Sequence, residues 1–238
     1  MRRSRPPAPT PVPFSPRAAR AHRVGLGLTP EQVAQGLAAH GVRLLPGHVI
    51  GWESGEIRPT EEEFIALARA LWCPAAQLMG VAPDSLRDFR VARELNQEQT
   101  ATRIGMDPRA YAAVERTGRW TGSEEQGAAL AEVLGLTLRD LVRVRGAEQE
   151  LVDRLRQCVD GRWQAQLKAV AELVPVHRDT LGRVLAALRS EYQVSGHWGT
   201  GSWGPAAPAA PRPAEPEQEP VDRFWSLLTR EDTGGLRV

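Results

Sequence analysis

The stretch from Leu95 to Arg116, LNQEQTATRIGMDPRAYAAVER, constrains the fold more than any other part of the sequence. Asn96 can cap a helix, because its side-chain oxygen accepts hydrogen bonds from the free N–H groups of the first turn. Gly105 supplies the left-handed residue at which a helix can end. Asp107 can cap a second helix whose first residue is Pro108, where the missing N–H costs nothing. The stretch therefore predicts a short helix, a tight turn and a second helix.

The apolar residues of this stretch have the spacing of two packed helices. Ala101 and Ile104 would lie on the inner side of the first helix, and Tyr111 and Val114, three residues apart, on the inner side of the second. The pattern resembles the helix-turn-helix of the Cro/cI-type (Xre-like) regulators, in the tandem-domain form of high-GC actinobacteria. Val114 stands where that family usually has tryptophan. The matching residues are Leu95, Asn96, Gln97, Glu98, Ala101, Ile104, Gly105, Met106, Asp107 and Glu115.

The part of the chain before this stretch is interpreted as a divergent copy of it. Three pairs of equivalent residues are 67, 62 and 63 positions apart: Ala34 with Ala101, Trp52 with Val114, and Leu67 with Leu130. The change of spacing from 67 to 62 places five extra residues in the first copy, in the turn between Ala39 and Pro46. A spacing kept this closely favours duplication.

The expected fold class is therefore all-α. The chain would comprise two tandem five-helix Cro/cI-like helix-turn-helix bundles, a helical C-terminal extension and a disordered tail. The predicted parts are a disordered basic arm (1–16), the divergent first domain (17–82), the second domain (83–146), the helical extension (147–195), and a flexible linker with a short amphipathic peptide (196–238). Helices are predicted near 17–24, 30–40, 46–53, 60–72, 74–79, 86–94, 97–104, 108–116, 123–134 and 137–144.

The N-terminal arm carries positive charge although the whole chain has a formal charge of only +1. Its prolines disfavour a helix and predict an extended, mobile segment. No acid occurs in the first 25 residues, so the arm suits contact with phosphates. The basic residues are Arg2, Arg3, Arg5, Arg17, Arg20 and Arg23.

Beyond Gly146 the helical periodicity continues without the repeated pattern. These helices have too few inward positions for an independent core, so we expect them to pack on the second copy, on each other or on another chain. Self-association as a homodimer is one such arrangement. Residues 196–220 have the composition of a linker. The short amphipathic peptide after this linker contains Phe224, Trp225 and Leu228. It is expected to be a docking peptide that binds a protein partner through these residues, or to make a return contact with its own chain.

The resemblance implies which residues would contact double-stranded DNA. In a helix-turn-helix, the first turn of the second helix lies against base edges. Arg109 has the bidentate geometry that suits guanine, whereas Arg116, Arg119 and Gln97 suit phosphates. The full set of candidate DNA-binding residues is Gln97, Asp107, Arg109, Ala110, Arg116 and Arg119 in the second copy, and Arg43, His48 and Arg58 in the first.

The sequence gives no indication of an enzyme, a metal site or a cofactor. The histidines are scattered, and no phosphate-binding loop or nucleophile elbow occurs. Cys73 and Cys158 lie in apolar helical patterns and are expected to be core residues in a reducing cytoplasm. No apolar run reaches the roughly 20 residues of a membrane span. Two classes of function remain: a sequence-specific, nucleoid-associated transcriptional regulator, or a non-catalytic adaptor built on degenerate helix-turn-helix folds.

Overall fold

The computed structural model describes residues 11–197 and 219–233, and within these ranges every regular element is a helix. The all-α class predicted from the sequence is confirmed. The helices are α1 (Pro16–Gly25), α2 (Pro30–Ala39), α3 (Pro46–Ser54), α4 (Glu61–Ala70), α5 (Ala75–Met79), α6 (Leu86–Ala92), α7 (Gln97–Arg103), α8 (Pro108–Thr117), α9 (Glu124–Leu134), α10 (Leu138–Val144), α11 (Glu148–Asp160), α12 (Trp163–Leu173), α13 (Arg178–His197) and α14 (Pro220–Thr233).

Local capping chemistry explains where six of these helices begin. In each case the cap side chain accepts from the third helical N–H, and the side chain at that third position accepts from the N–H of the cap residue. This reciprocal arrangement satisfies two backbone donors that have no partner inside the helix. The cap residues are Thr29, Thr60, Ser85, Asn96, Ser123 and Thr137.

The chain divides into two compact units, residues 1–136 and 137–238. The first unit contains α1 to α9 and the second contains α10 to α14. The sequence pattern assigns 137–144 to the second helix-turn-helix domain. The structure groups this helix with the C-terminal helices instead, because Val142 is buried in their core.

The core of the first unit includes residues that precede α1. Val12 and Phe14 are buried, and the Phe14 ring meets Phe64 edge to face, with ring centroids 6.2 Å apart. The Ser15 N–H donates to the carbonyl of Leu78 at 2.7 Å. The expectation of a disordered arm over 1–16 is therefore wrong for residues 11–16, since an extended backbone can bury apolar side chains without forming a helix. Residues 1–10 lie outside the described ranges.

The second unit has an apolar core of its own. Its members come from α10 to α14 and are Val142, Leu151, Leu155, Cys158, Val170, Val174, Leu181, Val184, Leu185, Leu188, Phe224 and Leu228. The expectation that the helices after Gly146 pack on each other is confirmed. The expectation that they have no independent core is corrected, because α10 and α14 complete one with them. Burial raises the pKa of the Cys158 thiol to about 11, and neither cysteine forms a disulfide.

The tail helix α14 is part of this unit. Phe224 is fully buried and Leu228 is 2% exposed. Arg223 forms a bidentate ion pair with Glu191 of α13, with both N–O distances at 2.6 Å. The return contact predicted as one alternative for this peptide is confirmed, and the predicted protein partner for Phe224, Trp225 and Leu228 is corrected, since two of the three side chains already lie in the chain's own core. The intervening linker residues 198–218 lie outside the described ranges.

Candidate nucleic-acid interface

The α7–turn–α8 segment has the geometry that its sequence predicts. The Asn96 side chain accepts from the N–H of Gln99 at 2.7 Å and begins α7. Gly105 has a left-handed φ of 67° in the turn after α7. The Asp107 carboxylate accepts from the backbone N–H groups of Arg109 and Ala110, at 2.9 and 3.0 Å, and begins α8. The capping and turn predictions for this segment are confirmed.

The inner sides of α7 and α8 are apolar and closed to solvent. Ala101 and Tyr111 are fully buried, and Ile104 and Val114 are 3% and 1% exposed. Thr100 is also fully buried, and its hydroxyl is satisfied there because it donates to the carbonyl of Asn96 at 3.0 Å. This packing fixes the angle between the two helices, so the outer side of α8 is presented by a rigid support.

The segment after α8 packs against the turn between α7 and α8, and the sequence does not indicate this contact. The Gln126 amide donates to the carbonyl of Gly105 at 2.7 Å. The Trp120 ring and the Met106 methyl both crowd Gly122, where an added Cβ would lie 2.5 and 2.7 Å from them. Gly122 is therefore required for the close packing of this tryptophan against the turn.

The outer side of the second copy presents unpaired arginines. Arg109 lies in the first turn of α8, Arg116 lies in its last turn, and Arg119 follows the cap residue Gly118. All three are exposed, as is Arg103 at the end of α7. Within the described residues none of these guanidinium groups forms an ion pair or a hydrogen bond. Ala110 is half-buried beside Arg109. The arrangement leaves four cationic groups available to an anionic ligand.

Asp107 and Gln97 are both engaged within the protein. The Asp107 carboxylate is occupied by the two backbone N–H groups that it caps, which explains an acid next to a predicted phosphate surface. The Gln97 amide donates to the Glu115 carboxylate at 2.7 Å. A carboxamide carries two N–H donors, so one remains for a phosphate oxygen.

Glu115 is held in turn by a buried arginine, Arg90, whose role is not indicated by the sequence. Arg90 is 0% exposed, and its Nε and Nη2 donate to the two Glu115 oxygens at 2.5 and 3.0 Å. Its Nη1 donates to the carbonyl of Leu95 at 2.8 Å and lies 2.9 Å from a Glu61 oxygen. Burial acts to lower the pKa of Arg90, but the hydrogen bonds with Glu115 and Glu61 outweigh it and raise the pKa.

The first copy contains the same ion pair. Arg23 donates to both oxygens of Glu53, at 2.6 and 2.7 Å, and to the carbonyl of Leu28 at 2.8 Å. The assignment of Arg23 to the phosphate-binding arm is therefore corrected, since its guanidinium is committed to Glu53. The hydrogen bond with Glu53 raises the pKa of Arg23, so this group stays charged. The two arginines are 67 residues apart, the same spacing as Ala34 and Ala101, and this spacing is the signal in the sequence that marks them as equivalent.

The exposed side of α3 in the first copy is apolar, whereas the exposed side of the corresponding helix of the second copy, α8, is basic. Leu45, Ile50 and Ile57 are 72%, 55% and 42% exposed. Of the candidate DNA-binding residues here, His48 is half-buried on α3, while Arg43 and Arg58 are exposed in the flanking loops. The helix itself contains no arginine or lysine. The predicted arginine contacts of the first copy thus lie at the two ends of α3.

Comparisons of this chain with protein-family models, with curated proteins and with solved structures found no match. In the described ranges, no helix combines the length and apolar character that crossing a membrane requires. No group of three or more histidine, cysteine, aspartate or glutamate side chains there is arranged to hold a metal ion.

Proposed function

We propose that this chain is a sequence-specific DNA-binding transcriptional regulator with tandem helix-turn-helix bundles of the Cro/cI type in its first unit. The observation that carries the proposal is the exposed, unpaired Arg109 in the first turn of α8, on a helix pair with a buried inner side. This is the position from which a recognition helix contacts base edges. As a nucleoid-associated protein, it would act in the cytoplasm.

The proposed contacts follow from the chemistry of the exposed groups. Arg109 donates two hydrogen bonds to the O6 and N7 atoms of a guanine in the major groove. Arg116 and Arg119 contact phosphates beside the groove, and the free N–H of Gln97 contacts another. Phosphate contacts fix the position and orientation of the protein, and the base contact supplies the sequence preference.

The repeat supports a duplicated domain. Arg23 and Arg90 occupy equivalent positions, as do Glu53 and Glu115, and each glutamate follows an inward residue of α3 or α8. Because the two ion pairs keep the spacings of 67 and 62 residues found in the sequence, we infer that the first copy is a helix-turn-helix bundle whose exposed helix has lost its basic residues.

Selection from a random-sequence DNA pool with the full chain tests the proposal. The expected result is an enriched sequence, which the chain then binds about 10³-fold or more tightly than unrelated DNA of the same length and at the same salt concentration. The measurement of affinity is a mobility shift over a salt series. Recovery of an unenriched pool would contradict sequence-specific binding.

The apolar side of α3 favours a second candidate function, a non-catalytic protein-interaction adaptor. Leu45, Ile50 and Ile57 expose apolar side chains on or beside a helix that has no arginine or lysine. An adaptor would need this surface and would not need Arg109. Selection from the random-sequence DNA pool therefore distinguishes the two candidate functions, because an adaptor would enrich no DNA sequence.

A further inference from the structure

We propose that the first bundle positions a DNA-contacting residue of the second bundle through the chain of contacts Glu61–Arg90–Glu115–Gln97. This inference rests on the proposed function and extends it. It assigns Glu61, in the first turn of α4, as a positioning residue for Gln97, which begins α7.

Arg90 is the centre of this chain. Its guanidinium is fully buried and is shared between two carboxylates, one from each copy. Nε and Nη2 hold Glu115, at the end of α8, while Nη1 lies 2.9 Å from a Glu61 oxygen. A buried guanidinium keeps its partners in fixed geometry, because an unpaired buried charge is costly. The end of α8 and the start of α4 are thus tied to one rigid group.

Glu61 is not part of the reciprocal cap at the start of α4. Within the first turn of α4 the capping function belongs to Glu63, whose carboxylate accepts from the N–H of Thr60 at 2.8 Å. Glu61 instead points to α6 and contacts both Arg87 and Arg90 there. Arg69 and Glu94 form a further ion pair between the copies, at 2.8 Å, so the contact between the two bundles does not depend on Glu61 alone.

The other end of the chain is Gln97. One oxygen of Glu115, Oε2, accepts from Arg90 Nη2 at 3.0 Å and from Gln97 Nε2 at 2.7 Å. This bond orients the exposed carboxamide and directs its second N–H. A fixed donor loses less conformational entropy on binding a phosphate than a free side chain does.

The first copy lacks both ends of the chain, which shows that the ion pair does not need them. The residue equivalent to Gln97 is Pro30, which has no side-chain donor. Among the described residues, Arg23 is ion-paired only with Glu53. The extensions to Glu61 and to Gln97 therefore occur together, in the copy that presents the exposed arginines of α8.

A double-mutant cycle on DNA affinity tests the inference in the full chain. Glu61→Gln and Gln97→Ala are each expected to weaken binding to the selected DNA about three- to tenfold. The double variant should bind no more weakly than the weaker-binding single variant, because the effects of residues in one network are not additive. Glu62→Gln is the matched control: Glu62 is exposed in the same turn of α4 and should combine additively with Gln97→Ala.

Three outcomes are distinguishable. Non-additivity for Glu61 but not for Glu62 supports the inference, and a cooperative melting transition shows that the variants are folded. If Glu61→Gln does not fold, Glu61→Asp replaces it, since the shorter side chain also breaks the 2.9 Å contact. Additive losses for Glu61 and Gln97 overturn the positioning role and leave the proposed function intact. A parent chain that binds no DNA overturns the proposed function, and the inference with it.

Discussion

Arg23 and Arg90 lie 67 residues apart and make the same three contacts: two with a glutamate and one with a backbone carbonyl five residues further along the chain. The glutamates, Glu53 and Glu115, are near the ends of α3 and α8. In both copies the ion pair therefore joins the first helix to the helix that presents the candidate interface. The pair of the second copy is the more deeply buried, since Arg90 is 0% exposed and the Arg23 side chain is 14% exposed.

The buried pair predicts a large and specific loss of stability. Glu115→Ala leaves the Arg90 charge with a reduced set of partners in a buried site, and should lower the free energy of unfolding by about 3–5 kcal/mol. Glu62→Ala, on an exposed side chain, should change it by less than about 0.5 kcal/mol. Urea denaturation of both variants measures the difference. Similar values for the two would contradict the role given to Arg90.

Stability should also fall in acid. Burial acts to raise the pKa of Glu61, but hydrogen bonds from Arg90 and Arg87 outweigh it and lower the pKa below the ordinary 4.5. A depressed folded-state pKa contributes stability above the unfolded-state pKa, and this contribution disappears as the pH falls through the folded-state value. Melting temperatures should therefore decline as the pH is lowered through and below 4.5, and less steeply in Glu61→Gln than in Glu62→Gln. Parallel curves for the two variants would show that Glu61 is not linked to stability.

The tail helix is predicted to stabilise the second unit. Phe224→Ala removes a fully buried ring and should cost about 3–5 kcal/mol, whereas Ser226→Ala, on the exposed side of α14, should cost less than about 1 kcal/mol. Hydrogen exchange in the full chain locates the effect, since amides of α11 to α13 should become less protected in Phe224→Ala while those of the first unit do not change. Unchanged protection in these helices would mean that α14 is dispensable for the core.

Local signals allow much of the first unit to be predicted. The caps Thr29, Asn96 and Asp107, and the left-handed glycines Gly55 and Gly105, determine helix ends through residues within a few positions of each other. Such interactions are readable in one stretch of sequence. For this reason the predicted helices agree with the structure to within one or two residues at most boundaries.

The interactions that the sequence does not reveal join residues far apart in the chain. Arg90 meets Glu115 across 25 residues, and Phe224 enters a core formed by helices that precede a long linker. An arginine among other arginines gives no local sign of burial, and the aromatic peptide after the linker indicates a contact without indicating which helices it meets. The assignment of Arg23 to the arm is wrong for the same reason, because its charge is visible in the sequence and its partner is not.

The basic arm is expected to increase the affinity for DNA without adding a preference for any sequence. Residues 1–10 carry Arg2, Arg3 and Arg5, whereas Val12 and Phe14 belong to the core, so the informative deletion is 1–10 and not 1–16. For every phosphate that the shortened chain no longer neutralises, the slope of log affinity against log salt should fall in magnitude by about 0.9. In salt titrations, the deletion should change this slope by the same amount for the selected DNA and for an unrelated DNA. An unchanged slope would remove the arm from the DNA-binding surface.

Substitution of Arg109 tests the proposed function most directly. Arg109→Ala should weaken binding to the selected DNA by about 1–3 kcal/mol and relax the preference at one base pair, because the bidentate pairing with guanine is no longer possible. Arg116→Ala should weaken binding to selected and unrelated DNA about equally. Arg178→Ala is the matched control, since this arginine is also exposed in the first turn of a helix but belongs to the second unit. This variant should change neither the affinity for the selected DNA nor the affinity for unrelated DNA. Binding of the selected DNA by Arg109→Ala as tight as that of the parent chain would contradict the proposal.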